Sequence, residues 1–141
     1  MNHKAALNQY RNINTESAIE QASPHRLVQM LMEGALQRMA EARGALQRKA
    51  IAGKGEARVK ATAEKGEAIG KAISIIGGLR DSLRHEVQSD LPQKLDSLYL
   101  YMTTKLLEVN VNNDVASLDE IIKLMKTLKE GWDGIENRTR Y

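Results

Sequence analysis

Along most of the chain, large apolar side chains return every three to four residues, the period of a helix with one buried stripe. Val28, Met32, Ala35, Met39, Ala42 and Leu46 alternate steps of four and three from Ser23-Pro24. There a serine can cap the helix, and proline fits its first turn. This pattern predicts a helix to about residue 52, broken at Gly53 and Gly55. A second helix is predicted from about Glu56 to Val87, with Ile69, Ile73, Ile76, Leu83 and Val87 on one stripe. Ser89-Asp90 opens a third, in which Leu91, Leu95, Leu98, Met102, Leu106 and Val109 fall within about 80° of arc. Asn112-Asn113-Asp114 ends that helix and caps a fourth, with Ser117 and Glu120 as an alternative capping box. The expected fold is all-α, an antiparallel four-helix bundle over residues 23–136. An extended or partly helical N-terminal segment, residues 1–22, precedes it, and a short tail, 137–141, follows.

Two features exceed what a bundle needs. An ordinary bundle helix carries a stripe somewhat over 100° wide. The third helix adds Leu100, Leu107 and Val111 about 120° to 180° from the middle of its stripe, and the apolar arc of the fourth spans about 180° from Leu124 round to Val115. Together these predict either an unfilled apolar groove between helices three and four, open to a second copy, a partner helix or the N-terminal segment, or extra apolar residues that complete an irregular core. That segment carries Leu7, Tyr10 and Ile13 at three-residue intervals. The other feature is a repeat: Lys54-Gly-Glu-Ala57 recurs eleven residues later as Lys65-Gly-Glu-Ala68. It reads as a short duplication that lengthens the first hairpin or frays it. Gly77-Gly78 costs about 1 kcal/mol per glycine relative to alanine, which calls for a close helix approach, a kink or a docking notch.

Composition narrows the chemistry. With 141 residues the chain is expected to be one domain able to bury its own core without a staple. It has no cysteine, which excludes thiol catalysis and zinc-thiolate sites. Aromatic residues are only 4%, too few for a base-stacking platform or an aromatic cofactor pocket. His3, His25 and His85 lie far apart and lack partners at metal-ligand spacing, no phosphate-binding glycine loop follows a strand, and no serine has a base in pattern. Neither an enzyme, a metal site nor a cofactor is expected. No signal peptide and no bilayer-spanning run is read in the sequence, so the expected location is the cytoplasm. The formal charge of +3 is concentrated early, where Arg38, Arg43, Arg48, Lys49, Lys54, Arg58, Lys60 and Lys65 face Glu41, Glu56 and Glu64. Interrupted by alanines, such a stretch reads first as a solvated helix face.

Ala22-Ser-Pro-His-Arg-Leu-Val-Gln-Met-Leu-Met-Glu-Gly-Ala35 resembles the opening helix of the flagellar secretion chaperones that bind flagellin, with a pattern near A-S-P-x-x-L-I-x-M-L-Y-D-G-A. Leu98-Tyr-Leu-Tyr-Met102, Leu106, Asn110 and Asn113-Asp114 are similar to that family's L-Y-x-Y-M, R-L, A-N and N-D at matching spacing. Lys71-Ala-Ile-Ser-Ile-Ile76 and Trp132 also fit. Met32 stands where the family has an aromatic, Leu100 where an acidic residue is common, and Thr104-Lys105 where it has a basic pair.

The resemblance implies a cytoplasmic, non-catalytic export chaperone. Such a protein holds the disordered C-terminal segment of flagellin one to one, prevents premature polymerisation and delivers it to the export gate of the flagellar type III secretion system. Client-binding residues would be Leu100, Thr104, Leu107, Val111, Leu124 and Leu128, with Leu7, Tyr10 and Ile13 in an N-terminal segment that covers the groove. No nucleic acid and no membrane insertion is expected, and self-association of the client-free chain stays open. The rival from another class is a homo-oligomeric structural bundle burying the same stripes against itself. A basic nucleic-acid-binding bundle rests only on the stretch from Arg38 to Lys65.

Overall fold

A computed structural model describes residues 22–84 and 89–135, and four helices account for nearly all of them. They are α1 (Pro24–Ala52), α2 (Glu56–Asp81), α3 (Leu91–Asn112) and α4 (Val115–Gly134). Among the described residues there is no strand. Leu7, Tyr10 and Ile13, the segments 1–21 and 136–141, and His85 to Gln88 lie outside the described residues.

Local chemistry sets most of the boundaries. Ser23 Oγ accepts the amide of Arg26 at 3.1 Å and Pro24 opens α1. At the other end Gly53 and Gly55 take φ of 67° and 101°, a region that favours glycine, and this turns the chain sharply into α2. Asn113 ends α3 in the left-handed conformation, its amide donating to Val109 O at 2.8 Å. Asp114 immediately caps α4 by accepting from the Ser117 amide at 3.1 Å, so Asp114 and not the alternative Ser117 is the cap. The predicted extension of α2 to Val87 is not observed. The helix stops at Asp81, although Leu83 still packs on the core, and Val87 lies outside the described residues.

The helices form a closed ring in which α1 packs on α2 and α4, and α3 on α2 and α4. Every neighbouring pair is antiparallel. Trp132 at the end of α4 stacks on His25 at the start of α1, while Arg43 pairs with Asp119 nearer the other end (2.6 Å). Leu31, Met39, Ile69, Ile76, Met102, Leu106, Leu118, Ile121 and Met125 fill the centre with almost no exposure. The α1–α2 seam is different in kind. Ala35, Ala42 and Ala45 on α1, with Ala61, Ala68 and Ala72 on α2, are all buried and bring two helices together over their whole length.

Candidate functional site

Leu100, Leu107 and Val111 stand on the outer face of α3 with 46%, 57% and 78% of their surfaces exposed. Thr104 is exposed on the same stripe. At 100° per residue, Leu107 lies only about 20° from Asp96, and Asp96 points at α2 because Arg80 donates to it at 2.5 Å. Tyr101 turns the opposite way: its hydroxyl donates to the Glu120 carboxylate of α4 at 2.9 Å. The exposed row therefore leans toward α2.

Leu124 and Leu128 are not on that surface. They occupy the flank of α4 that faces α3 beside Glu120, half-buried and packed against the core. The structure thus brings Leu100, Thr104, Leu107 and Val111 together and leaves Leu124 and Leu128 on the other side of α3. Physically, the two leucines seal the α3–α4 seam that the expected groove would have needed open.

What lies beside the row is a ledge of glycines. Lys65 reaches Asn110 and Arg80 reaches Asp96, which fixes the antiparallel register of α2 and α3. To within two residues, that register sets Gly66 level with Val111, Gly70 with Leu107 and Gly77 with Leu100. A methyl added at Gly70 or Gly77 would meet nothing within 4 Å, and at Gly66 only Asn110 Oδ1 at 3.8 Å. Ile73 and Thr103, both half-buried, form the floor between. The result is a shallow channel with three bare apolar side chains along one wall and three missing side chains along the other. The channel adds little to the stability of α2 or α3, since glycine costs about 1 kcal/mol in a helix and Leu100 and Leu107 leave about half of their surface in water.

The surrounding framework is held by charge. Lys65 is only 4% exposed, and its ammonium donates to Asn110 O (2.7 Å) and Asn113 Oδ1 (2.8 Å), closing the carbonyl end of α3 with a cation. Burial, with Lys49 and Arg58 close by, lowers its pKa below the ordinary 10.5. Of the early basic stretch Arg48, Lys54 and Lys60 are exposed, Arg38, Arg43, Lys49 and Arg58 are half-buried, and Lys65 alone is buried, so the stretch is less solvated than its pattern suggests. Burial pushes the Tyr99 hydroxyl up to about 12. At the far end, Trp132 Nε1 donates to His25 O (3.0 Å) and Gln29 Nε2 to Asp133 (2.7 Å), tying α4 to α1.

Among the described residues no cluster of histidine, aspartate or glutamate could hold a metal ion, and no helix is long and apolar enough to cross a membrane. Among the described residues, then, the molecule is a helical bundle with an exposed apolar row on the outer face of α3. Residues 6–139 match the family described as flagellar protein FliS. The chain is 46% identical over 132 residues to the flagellar secretion chaperone FliSB of Pseudomonas aeruginosa, covering 94% of this chain and 96% of that one. It is 35% identical to the flagellar secretion chaperone FliS of Vibrio cholerae over 94% of this chain and 89% of that one. With the FliS of Salmonella typhimurium it shares 33% identity over 94% of this chain and 90% of that one. The chain belongs to the FliS family of flagellar secretion chaperones.

The glycine ledge is what sequence reasoning missed. Its signal was present, because Gly66, Gly70 and Gly77 fall on one face of α2 at spacings of four and seven.

Proposed function

We propose that this protein is a cytoplasmic export chaperone that holds the disordered C-terminal segment of flagellin, keeps it from polymerising early and hands it to the flagellar type III export gate. The observation that carries the reading is the row of Leu100, Leu107 and Val111 left bare opposite Gly77, Gly70 and Gly66. An amphipathic client helix laid there would cover the row with its own apolar stripe, and the glycines would let its backbone approach α2 closely. Thr104 lines the same seat. Leu124 and Leu128 serve as scaffold behind it. The N-terminal segment with Leu7, Tyr10 and Ile13 covers the seat until the client arrives. Covering each large side chain contributes about 1–2 kcal/mol, and ordering the client offsets part of the total, which keeps release at the gate accessible.

Binding of purified flagellin to the intact chaperone tests the proposal. Leu107→Asp is expected to weaken it at least tenfold with the melting curve nearly unchanged, because the side chain is outside the core. Flagellin lacking its C-terminal helical segment is expected not to bind. Undiminished binding of that truncated flagellin would sink the reading.

A further inference from the structure

The α1–α2 hairpin overshoots the rest of the bundle. Arg43 pairs with Asp119 and Lys49 reaches Asn113, so the α3–α4 turn lies level with about residue 48 of α1. The end of α1, the glycine turn and the start of α2 stand beyond it, by roughly 10 Å at 1.5 Å per residue. This projection carries Lys49, Lys54, Arg58 and Lys60 against one carboxylate, Glu56, an excess equal to the +3 of the whole chain. The Arg58 guanidinium is spent inside the hairpin on Lys49 O (3.0 Å), whereas Lys54 and Lys60 are exposed.

One apolar residue on the projection is placed to matter. Val59 is 70% exposed and lies on the same line of α2 as Gly66, Gly70 and Gly77, at seven, eleven and eighteen residues. The α2 wall of the channel therefore does not stop where α3 ends. Past Val111 it runs on along α2 alone, over Val59 and between cations.

We infer that the projecting hairpin is an extension of the client seat that takes an acidic stretch of the flagellin chain adjoining the apolar helix held against α3. The inference rests on the client reading above. Its two supports are the continuity of the α2 line through Val59 and the unbalanced positive charge around it. Charges at such a rim act mainly on the rate of encounter and on salt sensitivity, while the apolar contact is insensitive to salt.

Full-length flagellin and the intact chaperone provide the test. In Lys54→Glu with Lys60→Glu, affinity is expected to fall roughly fivefold or more at low salt and to converge on the wild type in high salt, with melting unchanged. Val59→Ser should lower affinity about threefold at either salt. The gentler Lys54→Gln with Lys60→Gln should give a smaller loss of the same form, which guards against an effect of charge reversal on folding. Wild-type affinity and salt dependence in both lysine variants would overturn the inference, and loss of binding only to phosphatidylglycerol vesicles or to nucleic acid would reassign the tip. If Leu107→Asp abolishes flagellin binding while the lysine variants retain it, only the extension fails. If Leu107→Asp binds like the wild type, the client seat fails and the extension with it.

Discussion

The two copies of Lys-Gly-Glu-Ala, at 54–57 and 65–68, are identical in sequence and opposite in fate. Eleven residues are three helical turns to within about 20°, so a helix running through both would present them on one face. It does not run through both, because Gly55 in the first copy takes φ of 101° and forms the turn. In the second copy Gly66 is helical and faces the channel, Lys65 caps α3 from within, and Ala68 is buried in the α1–α2 seam. Lys54 and Ala57 are exposed. What a residue contributes here is decided by which neighbour its turn of helix meets.

Paired substitutions should separate the copies, and the largest gap is at lysine. Lys65→Ala strands the Asn110 carbonyl and leaves Asn113 Oδ1 with Lys49 alone, and should cost about 2 kcal/mol by urea unfolding. Lys54→Ala should stay within about 0.5 kcal/mol. At alanine, Ala68→Leu overfills a seam with no room and should cost about 2 kcal/mol, against no measurable change for Ala57→Leu. At glycine the signs should differ. Gly55→Ala forces a side chain into a positive-φ conformation and loses about 1 kcal/mol. Gly66→Ala gains up to about 1 kcal/mol from helix propensity, yet narrows the seat and should weaken flagellin binding severalfold.

The smallest effect is in alkaline solution. Because the folded pKa of Lys65 is lowered, the unfolded chain holds that proton to higher pH, and stability rises with pH as 10.5 is approached. Above about 10 the slope should reverse, since Tyr99 ionises in the unfolded chain well before its folded value of about 12. Urea midpoints across this range should lose the rising limb in Lys65→Gln and keep it in Lys54→Gln.

Most of the bundle was legible because its helix ends are chemical events: Ser23 with Pro24, the glycine turn, and Asn113 with Asp114. The end of α2 was not, since Leu83 and Val87 keep the phase of the stripe after the helix has stopped at Asp81. The bare row on α3 could be read as apolar excess. Its neighbour could not. A helical wheel gives the angle of Leu107 from the core but not whether α2 or α4 lies on that side, which depends on the handedness of the ring. For the same reason Gly77-Gly78 reads as a cost calling for a close approach, a kink or a docking notch, with no partner to choose among them, and Gly66 and Gly70 are not joined to it. They acquire a purpose when Gly70 is seen level with Leu107. Lys65 looked like one more cation in a solvated stretch because nothing in its own turn announces burial.

The register between α2 and α3 also orders events in time. Chains emerge from the ribosome N-terminus first and fold as segments become available. The alanine-lined α1–α2 seam is made entirely of residues before Asp81, and its contacts are local, so it can form while α3 is still being made. The channel cannot, because one wall belongs to α3, and the ring that holds α3 in place is completed only by α4. A nascent chaperone thus has its scaffold before it has any grip. The proposed client seat is therefore completed only late, when the last helix docks.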